Sequence, residues 1–210
     1  MHGQWRFAVM VVAALVVASA VWTWLPPDDG TQAAIRDTIA RFESAKWLVW
    51  PSDRYGETDL SAPTRERLED RRHRELMTLA EGAALEDALH VDAVAALLRS
   101  PRLRDGRLPV SCRADVVYFD VRRRTLRGEL LVRAACDIVQ TTGRWNPRTG
   151  EIVDLAEDEP STLCQVFDYT LVQRGNAWRV VAKEPVGSQD GGPPSFYDRS
   201  TGAFVQDTGT

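Results

Sequence analysis

Histidine and cysteine are the side chains best able to carry chemistry here, and their spacing argues against its common forms. His2 stands at the terminus, while His73 and His90 fall on expected helices with no second histidine at ligand spacing, so they read as solvent-facing side chains. The sequence contains no Cys-x-x-Cys, no Gly-x-Ser-x-Gly, no phosphate-binding loop and no zincin helix. The expectation is a protein that is not an enzyme, with no catalytic, cofactor or metal site assigned. Cys112, Cys136 and Cys164 all fall on expected strands. In an oxidising compartment Cys112 and Cys136 are the candidate disulfide, with one thiol left over; free buried thiols are the alternative, because bridges between adjacent strands are geometrically demanding. Trp145 and Asn146, beside the breaker Asn146-Pro147, are the candidate partner contact, or else a local staple for the loop.

The elements that position these residues follow from periodicity. Residues 110–121 alternate with a period of two, and residues 126–142 form their expected partner, with Tyr118 facing Leu130, Ala114 facing Ala134, Cys112 facing Cys136 and Asp115 facing Arg133. Residues 163–174 and 177–185 flank Gly175-Asn176, whose tolerance of positive φ suits a two-residue hairpin turn. That hairpin pairs Leu171 with Val180, Gln173 with Trp178, Tyr169 with Ala182 and Asp168 with Lys183. Residues 143–161 are too polar for core and read as an exposed loop or a short hairpin extension.

Upstream, Ile35, Ile39, Phe42, Trp47 and Val49 recur at helical spacing, giving a helix from Thr31 to about Trp50, where Pro51 ends it. Ser61 and Pro63 open a second helix that buries Leu68, Leu76 and Leu79, and whose charge-dense residues 65–75 read as a solvated face. Gly82 precedes a third helix carrying Leu85, Leu89, Val94 and Leu98, ending before Pro101. Residues 187–210, rich in glycine, proline and polar side chains, read as a disordered tail.

Residues 7–25 form an uncharged apolar run that, at about 1.5 Å per residue, reaches roughly 28 Å as a helix. Arg6 precedes it and Asp28 and Asp29 follow, which predicts a single-pass transmembrane helix with a cytoplasmic N-terminus and an extracytoplasmic domain. Ala18-Ser19-Ala20 leaves open a cleaved signal peptide. The expected organisation is an anchor over residues 1–25, a linker over 26–30, an α+β domain over 31–186 and the tail. Its fold class is three helices packed on a curved four-stranded antiparallel sheet. The net charge of −4 and the interspersed acids exclude a nucleic-acid surface. Nearly every basic residue is arginine, lysine standing only at positions 46 and 183, which reads as genomic composition bias.

Three helices followed by four strands, with a final hairpin reading VQRGNAWRVV over Val172 to Val181, resemble the nuclear transport factor two-like superfamily. The resemblance covers residues 31–185 and implies a bent sheet wrapped round a helix as a cone. It brings no catalytic residues, and Asp115 and Asp168 each have an expected cross-strand charge partner. The functional expectation is a membrane-anchored envelope protein that binds a protein partner or scaffolds a complex. Small-molecule binding in the cone is the alternative, and an isomerase-like or dehydratase-like enzyme a more distant one.

Overall fold

The structure is a computed structural model, and it describes residues 11, 26–50, 56, 61–93, 96, 105–187 and 193–206. Helix α1 (Asp29–Ala45) starts earlier than expected, because the Asp28 carboxylate accepts from the Thr31 backbone N–H at 2.9 Å and from its hydroxyl. It also stops earlier. The residue before a proline favours extended backbone, and Trp50 donates its N–H to the Pro109 carbonyl at 2.7 Å instead of continuing the helix. Helix α2 (Ala62–Leu79) has Ser61 as N-cap and proline in its first turn, as read from sequence. Helix α3 (Gly82–His90) is shorter than expected, with Val91 already extended.

Among the described residues seven strands form the antiparallel sheet: β1 (Leu108–Arg124), β2 (Leu130–Asn146), β3 (Glu151–Glu157), β4 (Leu163–Arg174), β5 (Ala177–Pro185), β6 (Ser195–Asp198) and β7 (Ala203–Gln206). The four-stranded expectation is thereby corrected. β3 comes from the segment read as an exposed loop or a short hairpin extension and forms the second of these with the end of β2, and β6 and β7 come from the segment read as a disordered tail. The tail orders because aromatic side chains in it find aromatic partners on the sheet: Tyr197 and Phe204 stack with Tyr118 at centroid distances of 5.2 and 4.8 Å.

The path of the sheet runs β1-β2-β4-β6-β7, with β3 on the far half of β2 and β5 beside β4. Strand β2 changes partner along its length, giving residues 130–135 to β4 and residues 141–146 to β3. Register shifts at Pro109/Ser111, Val116/Tyr118 and Val121/Arg123 mark bulges in β1, which bend a strand and increase its twist. One face of the sheet meets α1 through Ile35, Ile39 and Phe42, packed in one cluster with Leu130, Val132, Tyr169, Leu171 and Val180. A second face is also occupied, since Ala135, Cys164 and Val166 pack with Val117, Tyr118, Val186 and Tyr197 under the β6–β7 hairpin.

The transmembrane and single-pass membrane expectations are likewise corrected: among the described residues no helix is long and apolar enough to cross a membrane. The described helices are amphipathic and charged, and α2 alone carries nine Arg, Asp and Glu side chains over Ala62–Leu79. Apart from Val11, residues 7–25 lie outside the described residues, as do residues 188–192 and 207–210 of the expected tail.

Candidate functional site

The β4–β5 hairpin keeps the expected pairs Leu171 with Val180 and Gln173 with Trp178, but a bulge at Thr170/Leu171 moves Tyr169 opposite Lys183 and Asp168 opposite Glu184. The β1–β2 register differs throughout. Its turn lies further along the chain than the polar run 122–125 suggested: residues 122–124 continue β1 to Arg124, which faces Leu130, and the Thr125 N–H reaches the Glu129 carbonyl at 2.8 Å, so Cys136 faces Val116 and Cys112 faces Gln140. The geometry that was to bridge Cys112 and Cys136 is therefore not formed, and all three thiols are free. Burial pushes the Cys112 and Cys136 thiols up to about 12, with Asp158 and Glu43 respectively adding to the shift. Neither is a nucleophile at neutral pH.

Trp145 and Asn146 lie at the end of β2. Trp145 faces Ile152 across the hairpin and packs against the cluster of Leu48, Trp50, Leu68 and Leu108, while Asn146 Oδ1 accepts from the Arg148 N–H. Both serve the hairpin's own contacts. Asp115 pairs with Arg113 on its own strand rather than with Arg133, and Asp168 takes two bonds of 2.8 Å from Arg133 rather than one from Lys183. Of the histidines, His90 bonds the Glu86 carbonyl along its helix and His73 lies near Glu69. Among the described residues no group of three or more His, Cys, Asp or Glu could hold a metal ion.

Two features missed by the sequence reading stand out. The first is an edge. β7 ends the sheet path with all four residues exposed, Phe204 being 51 % exposed, and within β7 there is neither a charged residue nor a proline. Residues directly opposite one another share a face. Cys164, Tyr197 and Phe204 therefore project to one side, and Gln165, Phe196 and Val205 to the other, where Leu163 is 50 % exposed. The other strand edges are guarded differently. β1 carries Arg113, Asp115, Asp120, Arg122, Arg123 and Arg124 besides its bulges. β3 carries Glu151, Asp154 and Glu157, and β5 is covered where Ala80 bridges to Val180 and the Glu81 N–H reaches the Val180 carbonyl.

The second is a charged cluster at the end of α1. Glu43, 6 % exposed, accepts from Lys46 Nζ at 2.7 and 2.8 Å, from Lys183 Nζ at 3.1 Å and from the Tyr169 hydroxyl at 3.0 Å. Lys46 sits over the Phe42 ring and Lys183 over the Phe167 ring. Burial alone would raise the Glu43 carboxyl, but the two ammonium groups outweigh it and hold it below its ordinary value. Burial also raises Tyr169 well above the usual phenol range, Glu43 adding to the effect, so it stays a donor. The signal for Glu43 was present in the sequence: it stands four residues after Ile39, on the stripe that α1 buries.

No family model matches the chain, and no curated protein matches it. The function must be argued from the edge and the cluster themselves.

Proposed function

We propose that this domain binds a partner protein by strand addition, β7 accepting an extended segment of the partner as an eighth strand. The observation that carries the reading is the contrast among the edges: β1, β3 and β5 are bulged, charged or covered, whereas β7 is short, uncharged and apolar on both sides. An unguarded edge offers a row of backbone donors and acceptors, and flanking apolar side chains give an added strand its side-chain pockets. The partner segment suited to it alternates apolar residues, one set meeting Tyr118, Tyr197 and Phe204 and the other meeting Phe196, Val205 and Leu163.

A cone interior holding a small ligand is less well supported. The space between α1 and the sheet is filled by Ile35, Ile39, Phe42, Leu130, Val132 and Leu171, all at or below 1 % exposure. The order of elements supports a nuclear transport factor two-like ancestry, with a terminal hairpin added along the edge of β4.

The test is site-specific photo-crosslinking in the native cell, with the crosslinking residue at Val205 or, as controls, at Arg113 and Glu157. The expectation is one discrete adduct from position 205, absent from both controls and lost when Phe204→Pro is added. An adduct shared equally by the control positions, or one of twice the chain's own mass, would contradict binding of a separate partner at β7.

A further inference from the structure

A cavity of about 220 Å³ opens where the end of α1, the middle of α2 and the start of β1 come together. It lies apart from the filled space under α1. Its floor is apolar: Leu48 and Leu68 are buried, and Val49 and Val110 are half-buried beside them. Its rim carries Arg71 and Glu75, one turn apart on α2 and both exposed. The volume falls below the roughly 300 Å³ at which sites for drug-sized ligands begin, so the space suits a small metabolite rather than a large cofactor.

The two rim charges do not satisfy each other. Among the described residues neither Arg71 nor Glu75 takes part in an ion pair, whereas Asp37 pairs with Arg41, and Glu69 with Arg72 and His73, along their helices. Residue order supplies a reason, since an i,i+4 pair with its cation on the N-terminal side opposes the helix dipole. Arg72, which also borders the cavity, is already engaged by three carbonyls and Glu69. One cation and one anion of the lining are thus left open to a ligand.

We propose that this cavity binds a free α-amino acid with an aliphatic side chain, Arg71 meeting its carboxylate, Glu75 its ammonium and the apolar floor its side chain. An α-amino acid carries both charges on one carbon, so a single small molecule can meet both members of an i,i+4 pair, whose Cβ atoms stand about 5–6 Å apart. A plain carboxylate would lie beside Glu75 and a plain amine beside Arg71, each meeting a repulsion that the zwitterion offsets. A charged side chain would lose its water against Leu48 and Leu68. This site is separate from the β7 edge and stands or falls independently of it.

The test is titration of the full, isotope-labelled chain with L-leucine, read by calorimetry and by the magnetic resonance signal of the Trp47 indole, which borders the cavity. Saturable binding at roughly millimolar leucine or tighter is expected. Isocaproate, which lacks the amine, and isoamylamine, which lacks the carboxylate, should each bind at least about tenfold more weakly, because one rim charge then has no counterpart. L-Aspartate should compete at least about tenfold less well than leucine, its second carboxylate being turned toward the apolar floor. Arg71→Met and Glu75→Gln should each weaken leucine binding by a similar factor and leave the urea midpoint unchanged, since both side chains are exposed. No saturable binding of leucine would overturn the proposal, as would binding that both variants retain in full. Equal affinity for leucine and either truncated analogue would overturn the zwitterion as the ligand class, and equal competition by aspartate would overturn the aliphatic side chain.

Discussion

Glu43 shows how much a single side chain can hold together. It ties α1 to β4 through Tyr169 and to β5 through Lys183, and it is the carboxylate on which both lysines converge. Replacing it with glutamine would leave two buried ammonium groups without a counter-charge, a change that costs roughly 3–5 kcal/mol in comparable buried pairs. Urea unfolding of Glu43→Gln should show a loss of that size, and a loss under about 1 kcal/mol would mean that the pair is exposed in solution.

The cysteines make a second prediction at this scale. Unfolded in urea without reductant, the protein should release three thiols to Ellman's reagent, and a count of one would mean that a disulfide forms. Because Cys112 and Cys136 are raised to about 12 in the folded state, the unfolded chain holds fewer protons than the native one above its own value of roughly 8.5. Their contribution to stability is complete below that pH and is lost as pH climbs toward 12. Lys46, lowered in the folded state, acts in the opposite sense between about 8 and 10.4. The comparison to make is therefore Cys112→Ala/Cys136→Ala against the unmutated chain, the variant losing less of its urea midpoint from about pH 8.5 to 10.5. At the residue scale the sequence was only partly legible. Cysteines could be placed on strands, but their partners depended on a turn that lies beyond the polar run 122–125 and on the bulges in β1.

At the scale of elements, α2 holds the least expected result. Its run of charges looked like a solvated face, and for most of it that is so. Arg72, however, is 4 % exposed and donates to the carbonyls of Lys46, Ala88 and Val91, besides pairing with Glu69 at 2.8 Å. It satisfies carbonyls left free where α1 and α3 end. Arg72→Met should cost about 3 kcal/mol in urea unfolding, since several buried acceptors lose their donor at once. Arg71→Met, on an exposed neighbour, should change stability by less than about 0.5 kcal/mol. Spacing does separate these two arginines, since Arg72 stands four residues after Leu68 and four before Leu76 on the stripe that α2 buries; which carbonyls it then meets depends on the tertiary structure. The bounds of β4 and β5 and the pairs next to their turn were legible because turn and alternation agree, but the bulge at Thr170/Leu171 that shifts the pairs beyond it was not; β3 lay in a polar segment whose pairing is supplied by the overhang of β2.

For the whole molecule, the decisive feature is the closing hairpin. Composition pointed to a free tail, since glycine, proline and polar residues dominate it, yet a few aromatic side chains suffice to order β6 and β7 against Tyr118. That addition moves the sheet's open edge from β4 to β7 and replaces a strand of mixed polarity with a short one that has no charge, proline or bulge within it. Removing residues 193–210 should uncover Cys164 and Val166, so that the folded, shortened chain gains one thiol that alkylates with iodoacetamide while the full chain keeps Cys164 protected. Circular dichroism of the shortened chain should retain the helical signal, because α1, α2 and α3 pack on the other face of the sheet.

The most direct measurement is amide hydrogen exchange of the full chain, alone and with the crosslinked partner protein at saturating concentration. Strand addition predicts at least about tenfold slower exchange confined to residues 203–206, with the amides of β1 and β3 unchanged. Protection that falls on β1, β3 or the helices while β7 exchanges at its free rate would contradict the account.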